Sequence, residues 1–105
     1  MHVQEGTNVI RYIMLMKLSR EGKENIKEAP QRFATTQRAM KACDVKLIDM
    51  YATLGPCDYL LVVEAPDERA IFKFVAMISA DGEVNTETWR AIPFDEFSKI
   101  TQELP

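Results

Sequence analysis

Two stretches of this chain place polar side chains at alternate positions, the spacing that brings them onto one face of a β-strand. Both stretches are predicted strands. The first carries Asp49, Tyr51 and Thr53, and the second carries Thr86, Thr88 and Arg90. If both sets face the same space, their donors and acceptors converge as they do in a small-molecule site. The alternative is that they lie on exposed edge strands or make polar contacts within an assembly, and the sequence leaves both open.

Tyr12, next to Arg11 in the first predicted strand, is a further candidate for a ligand-binding or acid–base group. A tyrosine takes part in proton transfer only when burial or a neighbouring charge shifts its pKa. The competing interpretation is a packed ring with a hydrogen-bonded tip. The single histidine, His2, lies in a polar lead-in and is not expected to act in catalysis.

The two cysteines, Cys43 and Cys57, are expected to be reduced thiols rather than metal ligands or nucleophiles. Cys57 precedes Asp58, whose negative charge disfavours the reactive thiolate. The chain also has no glycine-rich phosphate loop and no Ser–His–Asp arrangement. The sequence therefore predicts no metal and no cofactor, and it shows no recognisable catalytic constellation.

The length and the charge of the chain limit the classes of protein to which it can belong. The chain has 105 residues and a net charge of −3, and its basic residues are dispersed among acids, which argues against nucleic-acid binding. It contains no run of the roughly 20 apolar residues that cross a bilayer, and residues 1–8 lack the apolar core of a signal peptide. We therefore expect a cytoplasmic protein with no membrane or nucleic-acid partner. We expect a polar lead-in at 1–8 and one domain at 9–105.

The hydrophobic pattern predicts the order β-α-β-β-α-β-α. Strands are predicted at 9–18, 45–54, 59–63 and 83–92, and helices at 19–44, after Pro66, and at 95–104. Pro30 should break the first helical region just before it. Gly55 and Pro56 predict a tight turn and an antiparallel hairpin. Two split βαβ units in this order give the α+β ferredoxin-like fold, a four-stranded antiparallel sheet with helices on one side.

The first and third predicted strands are apolar on both faces, and this fold places those two strands in the centre of the sheet. Helices cover one side only, so the other side keeps more apolar surface than a monomer usually exposes. Stacking two sheets across a twofold axis hides that surface. We therefore expect a homodimer or higher homo-oligomer in which two sheets form a dimeric α/β barrel.

Several residues in register resemble the GYD-domain family, small proteins of the dimeric α/β-barrel kind. The resemblance extends over about residues 12 to 98 and rests on Tyr12, Leu15, Gly22, Asn25, Ile26, Lys27, Pro30, Arg32, Leu54, Gly55, Asp58, Glu64 to Asp67, Thr86 to Thr88, Arg90, Ala91 and Phe94. The family signature is Gly, any residue, Tyr, Asp, and Cys57 stands here in place of the tyrosine. The resemblance implies the fold and the assembly, and it implies no particular activity.

Three functions compete at this point. The favoured one is an oligomeric module that binds a small, partly apolar molecule between stacked sheets. Its candidate ligand-binding residues are Tyr12, Asp49, Tyr51, Thr86, Thr88 and Arg90. The second is a cofactor-free enzyme of the isomerase or monooxygenase type, which needs a titratable group in a pocket. The third is a structural or protein-interaction subunit.

Overall fold

The chain forms the predicted α+β, ferredoxin-like fold in a computed structural model that describes residues 9–80 and 82–105. The strands are β1 (Ile10–Leu18), β2 (Lys46–Ala52), β3 (Tyr59–Ala65) and β4 (Val84–Ala91). The helices are α1 (Arg20–Glu24), α2 (Ala29–Ala42), α3 (Glu68–Ser79) and α4 (Phe94–Gln102). A 3-10 segment, Ile26–Glu28, joins α1 to α2. The predicted lead-in at 1–8 lies outside the described residues.

The sheet is antiparallel throughout, and its strand order is β2-β3-β1-β4. This order confirms that the two strands with apolar residues on both faces occupy the centre. On the side covered by the helices, Met14, Leu61 and Val63 are completely closed to solvent, and they pack in one core with Phe74 of α3 and Met40 of α2. The core therefore lies entirely between the sheet and its helices.

The break in the first helical region occurs where Pro30 predicted it. α1 ends at Glu24, and α2 begins at Ala29 with Pro30 in its first turn. A proline is tolerated there because its missing N–H would have no partner within the helix. α3 begins at an N-cap, since the Asp67 side chain accepts a hydrogen bond of 2.9 Å from the Ala70 N–H.

Asp58 fixes the hairpin of β2 and β3 to the central strand β1. Its carboxylate accepts a hydrogen bond of 2.8 Å from the Leu18 N–H, and its own N–H donates to the Met16 carbonyl at 2.9 Å. The donor belongs to β1, so this carboxylate links the end of the hairpin to the neighbouring strand. The turn itself is as predicted, with Gly55 at a φ of 109° that favours glycine.

A β-bulge interrupts β2. Leu47 lies opposite Val63 on the helix side, whereas Asp49 lies opposite Val62 on the other side. Alternation along the predicted strand at 45–54 is therefore interrupted at Ile48, where one extra residue reverses the side on which the following residues lie. As a result, Asp49 and Tyr51 lie on the side of the sheet opposite the described helices.

α4 leaves the end of β4 and makes no extended contact with another element in the described ranges. One side of this segment is apolar, and its residues are between 47% and 78% exposed: Phe94, Phe97, Ile100 and Leu104. An amphipathic helix normally lays such a stripe on a core. Here the other residues that the structure describes leave the stripe exposed. None of the described helices has the length and apolar character needed to cross a membrane.

Two phenylalanines of α3 should contribute very differently to the free energy of unfolding. Phe74 is fully buried and Phe72 is 69% exposed. Phe74→Ala should lower the free energy of unfolding by about 3–5 kcal/mol, because it removes buried area and leaves a cavity. Phe72→Ala is the matched control and should change it by no more than about 0.5 kcal/mol. Urea denaturation of both variants tests this, and equal losses would contradict the placement of the core.

Candidate functional site

The side of the sheet that none of the described helices covers is the first candidate site, and we call it the open face. Its residues stand in three rows that run across the four strands. These rows are Lys46, Glu64, Arg11 and Ala91; Asp49, Val62, Ile13 and Trp89; and Tyr51, Leu60, Leu15 and Glu87. The two ends of the face therefore differ from its middle, which is apolar across β3 and β1.

The apolar middle of the open face is continuous. Ile13 and Leu15 of β1 lie directly beside Val62 and Leu60 of β3, and all four side chains are half-buried. Trp89 extends this patch onto β4, and it is 49% exposed. Large side chains in one contiguous patch are typical of a surface that another protein covers.

The polar side chains around this patch are largely paired with one another. The Arg11 guanidinium contacts Glu64 Oε2 at 2.7 Å through Nη2 and at 3.3 Å through Nε. The Tyr51 hydroxyl donates to the Asp49 carboxylate, and this bond raises the pKa of Tyr51 above its ordinary value. Trp89 Nε1 donates to Glu87 at 3.0 Å. Since these groups already have partners, covering the face leaves few of their donors or acceptors unsatisfied.

The second candidate site lies on the opposite side of the sheet, between β4 and α3. It is a cavity of about 330 Å³, which we call the Tyr12 cavity. Tyr12, Thr88 and Arg90 line it from the sheet. The remaining walls come from α3, namely Glu68, Ile71, Phe72 and Val75. One wall is thus mostly apolar, and the other carries polar groups.

Tyr12 is the buried polar residue of this cavity. Only 5% of the residue is exposed, and its hydroxyl has no hydrogen-bond partner within residues 9–80 and 82–105. Burial is the main cause that raises the pKa of Tyr12, and the negative charge of Glu68 adds to it. Arg90 acts in the opposite direction. Tyr12 therefore shares its cavity with one acidic and one basic side chain.

The six predicted ligand residues fall into two groups. The first group lines the Tyr12 cavity and consists of Tyr12, Thr88 and Arg90. Thr86 lies two residues before Thr88 on the same face of β4, opposite Met16 of β1. Asp49 and Tyr51 lie on the open face of β2, at the other edge of the sheet. The two polar sets therefore project from opposite faces of the sheet, so of the two alternatives left open by the sequence, the one in which they converge in one space does not apply.

Sequence reasoning missed the contribution of α3 to the cavity. Glu68 stands in the first turn of α3, where an acidic residue has a sufficient explanation in the helix dipole. Its approach to Arg90 depends on how α3 crosses β4, which no local pattern encodes. Cys43 and Cys57 are free thiols and take no part in either site.

The fold is that of a small α+β, ferredoxin-like domain. The chain matches the GYD domain over residues 12–101, so it belongs to the GYD-domain family. A Thermus thermophilus protein, named glutamine synthetase and cystathionine beta-lyase binding protein, is 32% identical over 83 residues, which are 78% of this chain and 87% of that protein.

Solved structures resemble the fold at lower identity. MtbAldR superposes with a TM-score of 0.64 at 19% identity, over 80% of this chain and 52% of that one. A transcriptional regulator of Neisseria meningitidis, solved with L-methionine, superposes with a TM-score of 0.55 at 18% identity, over 80% of this chain and 50% of that one. This chain thus spans about half the length of both regulators. At these identities the likeness concerns the fold alone.

The raised pKa of Tyr12 predicts a loss of stability at alkaline pH. As pH rises past 10.0, the ordinary value, the unfolded chain releases the phenol proton before the folded chain does, so the free energy of unfolding falls. Tyr12→Phe removes this contribution and should give a shallower fall above pH 10.0. Urea denaturation at a series of pH values measures the slope.

Tyr51→Phe is the control for this measurement. Its hydroxyl stands in solvent, where a charge is screened, so its effect on the slope should be smaller. Identical slopes for the wild type and Tyr12→Phe would show that the Tyr12 hydroxyl is not buried as described.

Proposed function

We propose that this protein is a binding module that forms a homodimer through the open face and acts by binding other proteins. The observation that carries the proposal is the composition of that face. Its middle is a continuous apolar patch, and the polar groups around the patch are paired among themselves. Covering such a surface with protein leaves few polar groups without a hydrogen bond. Removing its apolar area from water contributes favourable free energy of association.

A second copy of the chain is the cover that best fits the open face. A twofold axis brings the same patch of both protomers together, and an apolar patch is complementary to itself. Ile13, Leu15, Leu60 and Val62 would then form the centre of the interface, with the Arg11–Glu64 pair towards its rim. Charged pairs at a rim and apolar side chains at the centre are the usual distribution in protein interfaces.

The uncovered stripe of α4 supports the same assembly. Its nine residues give a helix about 14 Å long. The helix follows directly from β4, the strand that contributes Trp89 to the open face. In a dimer, the stripe of Phe94, Phe97 and Ile100 can lie along the sheet edge of the other protomer. The two uncovered apolar surfaces of one chain would then be covered together.

Binding of a further protein is supported by the relative from Thermus thermophilus, which is named for binding two enzymes. The sequence favoured a small molecule between the sheets, but only Asp49 and Tyr51 of the candidate residues lie on the open face, and they bond to each other. We therefore assign that face to protein contact. The alternative of a cofactor-free enzyme stays a prediction that the structure does not test.

Leu15→Glu should separate the proposed dimer into monomers, because it places a charge at the centre of the apolar patch. Light scattering after size exclusion should give the wild type twice the 12.0 kDa of one chain, and the variant that single mass. Trp89→Glu, at a more exposed position, should act in the same direction if Leu15→Glu folds poorly.

Thr35→Glu is the control for the dimer test, since Thr35 is exposed on α2, away from the open face. It should leave the mass unchanged. Circular dichroism confirms that each variant is folded. A wild-type protein that stays a monomer at micromolar concentration would overturn the dimer.

Protein binding is tested with glutamine synthetase and cystathionine beta-lyase from the organism that encodes this chain. Biolayer interferometry should detect binding of at least one of the two enzymes, and an unrelated tetrameric dehydrogenase should give no signal. Absence of binding to both, with an intact dimer, would contradict this part of the proposal and leave the assembly standing.

A further inference from the structure

We infer that the Tyr12 cavity is a binding site for a small zwitterion with an apolar side chain, the chemistry of an apolar α-amino acid. The site is separate from the open face. β1 and β4 present Tyr12, Thr88 and Arg90 towards the helices, whereas the open face is formed by the alternate residues of the same strands. The inference therefore goes beyond protein binding and does not depend on the dimer.

The cavity holds two opposite charges that do not pair with each other. Arg90 and Glu68 both line it, and the salt bridges of the described chain join other residues, namely Arg11 with Glu64, Arg20 with Glu24, and Arg32 with Glu83. An arginine fork binds a carboxylate through two parallel hydrogen bonds. A nearby carboxylate binds an ammonium group. Together they provide one partner for each charge of a zwitterion.

The Tyr12 hydroxyl is the third polar group of the site. A buried hydroxyl without a hydrogen bond is costly, and native structures contain few of them. Its position directly across from Arg90 in the β1–β4 ladder places it beside the groups that would hold the ligand. A carboxylate or ammonium bound there gives this hydroxyl the partner it lacks. Because the hydroxyl is closed to solvent, exposed neighbours such as Phe72 and Glu68 must shift to admit the ligand.

The wall formed by α3 would contact the apolar side chain of the ligand. Ile71 and Val75, with Phe72, offer an apolar surface for an aliphatic or thioether side chain. A volume of about 330 Å³ is at the small end of ligand sites and suits a molecule of amino-acid size. Asp67 adds negative charge nearby, while its own carboxylate caps α3. A neutral zwitterion is therefore favoured over an anion such as phosphate.

The test is isothermal titration of the wild-type protein with L-leucine and with L-methionine. At least one should bind with a Kd of about 1 mM or tighter. Isocaproate and isoamylamine, which each lack one of the two charges, and inorganic phosphate should bind at least about tenfold more weakly, because each loses one charge-assisted contact. Equal binding of isocaproate would overturn the zwitterion assignment.

Three variants test the assignment of the residues. Arg90→Gln, Glu68→Gln and Tyr12→Phe should each weaken the binding by about tenfold or more, since each removes one polar contact. Arg38→Gln, at an exposed position of α2 outside both sites, is the matched control and should bind as the wild type does. Unchanged affinity in Arg90→Gln, or no binding of either amino acid at about 10 mM, would overturn the inference.

A thermal-shift measurement separates this result from the proposed function. L-Leucine or L-methionine should raise the melting temperature of Leu15→Glu as it raises that of the wild type, because the cavity lies within one protomer. Binding in the wild type that is absent from a folded Leu15→Glu monomer would show that the site belongs to the dimer interface, and would overturn its assignment to the Tyr12 cavity.

Discussion

β1 and β3 carry apolar residues on both faces, so both sides of the sheet must be covered for these strands to be stable in water. Three helices cover one side, where Met14, Leu61 and Val63 are closed to solvent. The described residues supply no third layer for the other side, and the apolar stripe of α4 is also exposed. The fold covers one face of β1 and β3, and the proposed dimer, with the helix α4, would cover the other.

The two sides of the sheet differ in how their charges are arranged. On the open face, Arg11 is bound to Glu64 and Tyr51 to Asp49. On the helix side, Arg90 and Glu68 line a cavity together and have no such pairing in the described chain. Charges that are already paired cost less free energy when protein covers them. Unpaired charges beside a buried hydroxyl can instead bind the charged groups of a small molecule. This difference is why we assign protein contact to one side and ligand binding to the other.

The sequence predicts the order of elements, the break at Pro30 and the central position of β1 and β3, because each follows from local periodicity or from proline geometry. The bulge at Ile48 could not be predicted, since an extra residue in a ladder is visible only against the partner strand. The partner of Asp58 was missed for a related reason, because Leu18 lies 40 residues away in sequence. The Tyr12 cavity depends on how α3 crosses β4, so the residues of the sheet wall were recognised as candidates and Glu68 was not.

Alternation along β4 has a consequence for how this protein can evolve. Thr88 points towards the helices and its neighbour Trp89 points the other way. Substitutions at odd and even positions of the strand therefore alter one surface at a time, and the two proposed sites can diverge independently. Deleting or inserting a single residue within β4 would instead exchange the two sets, burying the tryptophan beneath α3 and presenting the threonine to the opposite side. We expect length changes in this lineage to accumulate in the connecting loops and to spare this strand.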